Sequence, residues 1–94
     1  MRYLLFYEKI ADYAEAQKPY AAAHLDYFER RAIKDQILLA GSLEDPVDGA
    51  AVILFEAESA TIVAAFAKSD PYVIHGIVNR WWVRQWDVVL GSQV

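Results

Sequence analysis

The chain has 94 residues, enough for one hydrophobic core and too few for two. Hydrophobic residues make up 56 % of it, above the roughly 45–50 % usual in soluble domains, and 23 % are charged, which excludes a disordered chain. A net charge of −4 argues against a nucleic-acid partner, and the lack of cysteine excludes disulfides, thiol catalysis and Cys-based zinc sites.

Residues 2–8 read as a strand, an extended run of aromatic and aliphatic side chains stopped by charge. No apolar run nears the ~18–20 residues that span a bilayer, and Glu8 and Lys9 follow too soon for a signal peptide. No membrane partner and a cytoplasmic location are therefore expected. Residues 10–16 suit a loop or short helical turn. From Lys18 to about Lys34 the spacing predicts a helix, with Pro19 in its first turn and Ala21, Leu25, Phe28 and Ala32 as the buried stripe. Residues 37–43 and 50–56 predict a hairpin around the turn formers of 44–49. A second helix is expected over 59–67, capped by Ser59, with Ile62, Val63 and Phe66 inward. Asp70 and Pro71 open a short helical segment over 71–78, and a last strand runs from Trp81 to Leu90.

The order is β-α-β-β-α-β. Short right-handed connections turn that order into a ferredoxin-like α+β fold in one domain: a four-stranded antiparallel sheet with both main helices on one face. The first strand is apolar on both faces, with Leu4 and Phe6 on one and Tyr3, Leu5 and Tyr7 on the other. The chain has no third layer to cover the second face, so a homodimer packed sheet to sheet is expected.

Two histidines are present, His24 and His75. Histidine takes and gives protons near neutrality. On the predicted helix His24 shares a face with Tyr20, Tyr27, Phe28 and Arg31, and an imidazole among aromatics is favoured as the neutral base. From spacing alone, a half-buried structural histidine satisfied by a backbone carbonyl is the simpler account. Asp70 reads first as a helix cap, but one carboxylate oxygen can cap while the other holds an imidazole N–H. His75, within an apolar segment, reads as structural. Two histidines with scattered carboxylates give no metal-ligand spacing, and no phosphate-binding glycine loop is present, so no cofactor is implied. The Trp81, Trp82 and Trp86 group suits core and interface packing, or an aromatic pocket.

His24-Leu25-x-Tyr27, Leu38-Leu39-Ala40-Gly41, Ala67-x-x-Asp70-Pro71-Tyr72 and Trp82-Val83-Arg84, in that order, resemble the YCII-related (YciI-like) family over nearly the whole chain. The resemblance implies a dimeric α+β barrel similar to muconolactone isomerases, with an active site on a His–Asp pair, here His24 and Asp70. One branch of the family resembles dehydrochlorinases of chlorinated hydroxyquinols. The family often carries Arg three residues before the histidine; Ala21 stands there, and Lys18 is the nearest substitute cation. Ser42 stands where proline is common.

Two functions follow as expectations. In the first, His24 is a general base and Asp70 its orienting partner in a cofactor-independent isomerase, lyase or dehydrochlorinase. Its small-molecule substrate is cyclic or phenolic, in a pocket lined by Tyr7, Tyr27, Ser42 and Tyr72. In the second, the same fold is a non-catalytic ligand-binding or accessory module.

Overall fold

The structure, a computed structural model, describes residues 1–32 and 36–91. Its elements are β1 (Arg2–Lys9), α1 (Tyr13–Ala16), a 3-10 turn (Lys18–Tyr20), α2 (Ala21–Ala32), β2 (Ile37–Ser42), β3 (Ala51–Glu56), α3 (Ala60–Lys68), α4 (Pro71–Ile74) and β4 (Val78–Trp86). The four strands form one antiparallel sheet in the order β2-β3-β1-β4, the ferredoxin-like α+β fold.

Alternation along β1 sets the two faces. Tyr3, Leu5 and Tyr7 are buried beneath the helices, beside Ile53 and Phe55 of β3, while Leu4 and Phe6 point to the opposite side and are half-buried. Val63, Phe66 and Ala67 of α3 close the core over Phe55, whose ring meets that of Phe66 edge-on at 5.0 Å. Complete burial of a side chain such as Leu5, Ile53 or Phe55 contributes about 1.5–3 kcal/mol each. The opposite face carries Leu4, Phe6, Leu54, Trp82 and Trp86 with no helix upon it; there Phe6 stacks on Trp82 at 5.2 Å and the Arg80 guanidinium lies 4.6 Å over the Trp82 ring.

Four expectations need correction. Helix α2 does not turn Ala21 and Leu25 inward: both are exposed, Leu25 by 58 %, and the face toward the core carries His24, Tyr27 and Phe28. Those rings bury more area than an Ala/Leu stripe, and their polar tips find partners inside, which decides the helix's rotation. Ala32 and the predicted helix end at Lys34 lie outside what is described of side chains and residues. The short helix after Asp70 ends at Ile74, because Gly76 adopts φ +75° and Val78 already pairs with Lys9. The last strand therefore starts three residues early and ends at Trp86, so that Val89 and Leu90 are exposed rather than paired. Ser59 occupies the N-cap position of α3 without a side-chain capping bond, and Ile62 is at the exposed edge of that helix.

Candidate active site

Asp70 is placed by its sequence context. Its extended backbone and the following Pro71 start α4, and its Oδ1 accepts the Tyr72 N–H at 3.0 Å, an N-cap bond. The carboxylate has no solvent exposure, so each lone pair needs a donor. Oδ1 also accepts from His24 Nδ1 at 2.8 Å, and Oδ2 accepts the Tyr7 hydroxyl at 2.6 Å. Three elements, β1, α2 and α4, thus converge on one buried anion.

The carboxylate fixes the histidine tautomer. Because it accepts the Tyr72 and Tyr7 hydrogens as well, Nδ1 must bring the proton, so that in the neutral imidazole Nε2 carries the lone pair. Nε2 makes no hydrogen bond to another described residue. The ring stacks on Tyr72 with centroids 3.8 Å apart and planes 4° from parallel, and touches Phe28 at 4.4 Å. A second stack, Tyr20 on His75 at 4.0 Å, fastens the same junction. His75 is an exposed packing residue there, as its apolar setting suggested.

Between α2 and the sheet lies a cavity of about 180 Å³, lined by Tyr7, Lys9, His24, Phe28, Ser42 and the β2–β3 residues around Gly41 and Ile53. Sequence reasoning brings Tyr7, His24 and Ser42 to this wall. Tyr72 lies behind it, buried against the imidazole. Tyr27 is not among the lining residues: its hydroxyl donates to the Phe66 carbonyl at 2.8 Å and its ring stacks on Phe66. The Tyr7 hydroxyl is committed to Asp70, and burial together with the Asp70 charge pushes its pKa upward, so it acts as a fixed donor. The three tryptophans divide: Trp81 packs on the core, while Trp82 and Trp86 belong to the helix-free face.

Lys9 was not anticipated. It follows Tyr7 by two positions in β1, the same-face spacing of a strand, and that spacing was the available signal. Its ammonium lies 5.4 Å from the centroid of Tyr13 and 5.5 Å from that of Tyr72. Lys18, the substitute cation expected from the sequence, instead bonds Glu15 at 2.9 Å in an exposed pair and does not line the cavity. Gly49 backs Tyr13 from the β2–β3 loop. At φ +85°, a Cβ there would sit 2.8 Å from Tyr13 Cε1, so Gly49→Ala is expected to lower stability by about 1–3 kcal/mol in a thermal melt. Among the described residues, no three His, Asp or Glu side chains gather as a metal site, and no helix is long and apolar enough to cross a membrane.

The YCII-related domain model matches residues 1–87. The fold is similar to that of 5-chloro-2-hydroxyhydroquinone dehydrochlorinase (TftG) from Burkholderia phenoliruptrix AC1100, solved in complex with 2,5-dihydroxybenzoquinone. The two share 24 % identity with a TM-score of 0.76, over 93 % of this chain and 94 % of that one. It is also similar to protein Atu4242 from Agrobacterium tumefaciens, at 13 % identity and a TM-score of 0.57, over 100 % and 99 % of the two chains. Identities this low carry the fold and not the activity. No curated protein matches the sequence. On the strength of the domain match across residues 1–87, the chain belongs to the YCII-related family.

Proposed function

We propose that this protein is a cofactor-independent enzyme in which His24 is the general base and Asp70 orients it, acting on a small cyclic or phenolic molecule. The observation that carries this reading is the 2.8 Å bond from His24 Nδ1 to a carboxylate without solvent exposure, at the wall of a cavity. Nε2 takes a proton from the substrate. The electron pair left behind moves to a neighbouring carbonyl as an enolate and is re-protonated elsewhere, or it expels chloride from the adjacent carbon. Asp70 stabilises the imidazolium formed in between, and that imidazolium returns its proton to the substrate or to water. Ser42, whose hydroxyl bonds no other described residue, is the candidate donor to the developing oxyanion. The dehydrochlorinase function of the structurally similar TftG agrees with an elimination of this kind.

Incubation with 5-chloro-2-hydroxyhydroquinone, and separately with simple cyclic ketones and lactones in deuterated water, tests this. The expected result is chloride release or deuterium incorporation by the wild type, reduced about 10²–10⁴-fold in His24→Gln with folding retained. Equal rates in wild type and variant would contradict the role given to His24, and binding without any reaction would favour an accessory module in the same fold.

The helix-free face supports the expected homodimer. Leu39 is 59 % and Trp86 47 % exposed, around an apolar groove with Leu4, Val52 and Leu54. Light scattering is expected to give a dimer for the wild type and a monomer for Leu39→Lys; a wild-type monomer at micromolar concentration would refute it. Cytoplasmic residence belongs to the same reading and is checked by fractionation.

A further inference from the structure

We infer that Lys9 is the cation that holds an ionised oxygen of the ligand, so that the cavity takes ring-sized organic monoanions such as phenolates and enolates. The inference rests on the acid–base reading of the same cavity.

Among the residues lining the cavity, Lys9 is the one ordinarily cationic side chain, and most of the wall is apolar. The volume of about 180 Å³ suits one substituted six-membered ring, given that an apolar cavity of about 150 Å³ accepts benzene. Position is enforced from two sides. The regular pairing of β1 with β4 shifts between Glu8 and Lys9, and such irregularities re-aim side chains. The faces of Tyr13 and Tyr72 then flank the ammonium at 5.4 and 5.5 Å.

Among the described residues, Lys9 lacks an ion-pair partner, as Lys68 and Arg84 do, and differs from both in lining the cavity. Lys18, Arg30 and Arg80 each bond a carboxylate at 2.8–3.0 Å, whereas Lys9 has no carboxylate within 4.0 Å among the described residues. Asp70 is near enough to influence its charge, but the Asp70 oxygens already receive three donors. A half-buried ammonium without an ion-pair partner is costly, and burial pushes its pKa down. An anion entering the cavity relieves that cost, and a neutral ligand of the same shape does not.

The test uses 4-nitrophenol, whose ionisation is visible by absorbance, with 4-nitroanisole as the uncharged shape control. The wild type is expected to prefer the phenolate, and the bound probe to ionise at lower pH than in solution. Lys9→Met is expected to lose about tenfold to a hundredfold in phenolate affinity while binding 4-nitroanisole unchanged, and Lys9→Arg to recover most of the loss. Equal loss of both probes would assign Lys9 a packing role and overturn the inference, as would unchanged phenolate affinity or no phenolate binding by the wild type. A readout without any variant guards against misfolding: the Lys9 Cε resonance should titrate at higher pH with phenolate bound than without, and identical titrations would refute the contact. His24→Gln should keep the phenolate preference while losing turnover, so failure of the acid–base reading is read on a different variant and a different signal.

Discussion

Replacing Asp70 with alanine is expected to remove about 3–5 kcal/mol of folding stability along with all turnover. The size follows from what would be stranded. Three donors meet this one carboxylate: the Tyr7 hydroxyl, His24 Nδ1 and the Tyr72 N–H. The carboxylate is fully buried and Tyr7 and Tyr72 nearly so, which leaves little water to replace the lost acceptor. Against a total of about 5–15 kcal/mol for an ordinary domain, such a loss brings the chain near unfolding at ambient temperature. Asp70→Asn separates the two roles. The amide oxygen in the Oδ1 position can still accept the Tyr72 N–H and His24 Nδ1–H, so stability should fall by less, but an NH2 group in the Oδ2 position cannot accept the Tyr7 hydroxyl, and a neutral amide no longer stabilises the imidazolium. The equivalent change in a serine protease triad reduces the rate by about 10⁴. A loss in Asp70→Asn confined to stability, with rate unchanged, would separate Asp70 from the chemistry. Urea unfolding monitored by tryptophan fluorescence measures the first effect directly.

Alkaline pH should destabilise the fold steeply, and Tyr7 is the main reason. Burial and the neighbouring Asp70 charge push its pKa far above the ordinary value of about 10. Below pH 10 the phenol is protonated whether the chain is folded or not, and its contribution is fully present. Above pH 10 the unfolded chain releases the proton and the folded chain keeps it. The unfolded state then binds fewer protons, and stability falls by about 1.4 kcal/mol per pH unit for this one group. Tyr72 shifts in the same direction from the same causes and adds to the slope. Tyr7→Phe removes one such group, so its urea midpoint should decline less steeply than that of the wild type between pH 10 and 11. It also leaves Asp70 Oδ2 without its donor, so the variant starts from lower stability at neutral pH. Parallel slopes in the two proteins would show that Tyr7 ionises freely in the fold.

Much of this arrangement was legible in the sequence because it is local. The strict alternation of Tyr3, Leu5 and Tyr7 assigns β1 its faces, and Asp70-Pro71 marks a helix start whose cap bond is present in the structure. The convergence of His24 and Asp70, 46 positions apart, was reached through a family resemblance and not through spacing. Spacing misjudged α2 for a physical reason: it ranked alanine and leucine above histidine and tyrosine as core residues. The polar atoms of His24 and Tyr27 are satisfied inside, by Asp70 and the Phe66 carbonyl, and that compensation is tertiary. Lys9 escaped because charge at a strand end usually marks solvent, which outweighed its same-face spacing from Tyr7. Gly76 was passed over for a similar reason, since its positive φ matters only once Val78 is seen to pair with Lys9.

The imidazole's tautomer is the quantity on which the proton-transfer role depends. Nitrogen-15 NMR of histidine-labelled protein, at a pH where His24 is neutral, reads it directly. The expected spectrum has Nδ1 protonated and Nε2 bare. A neutral His24 protonated at Nε2 would mean that this nitrogen has no lone pair to offer.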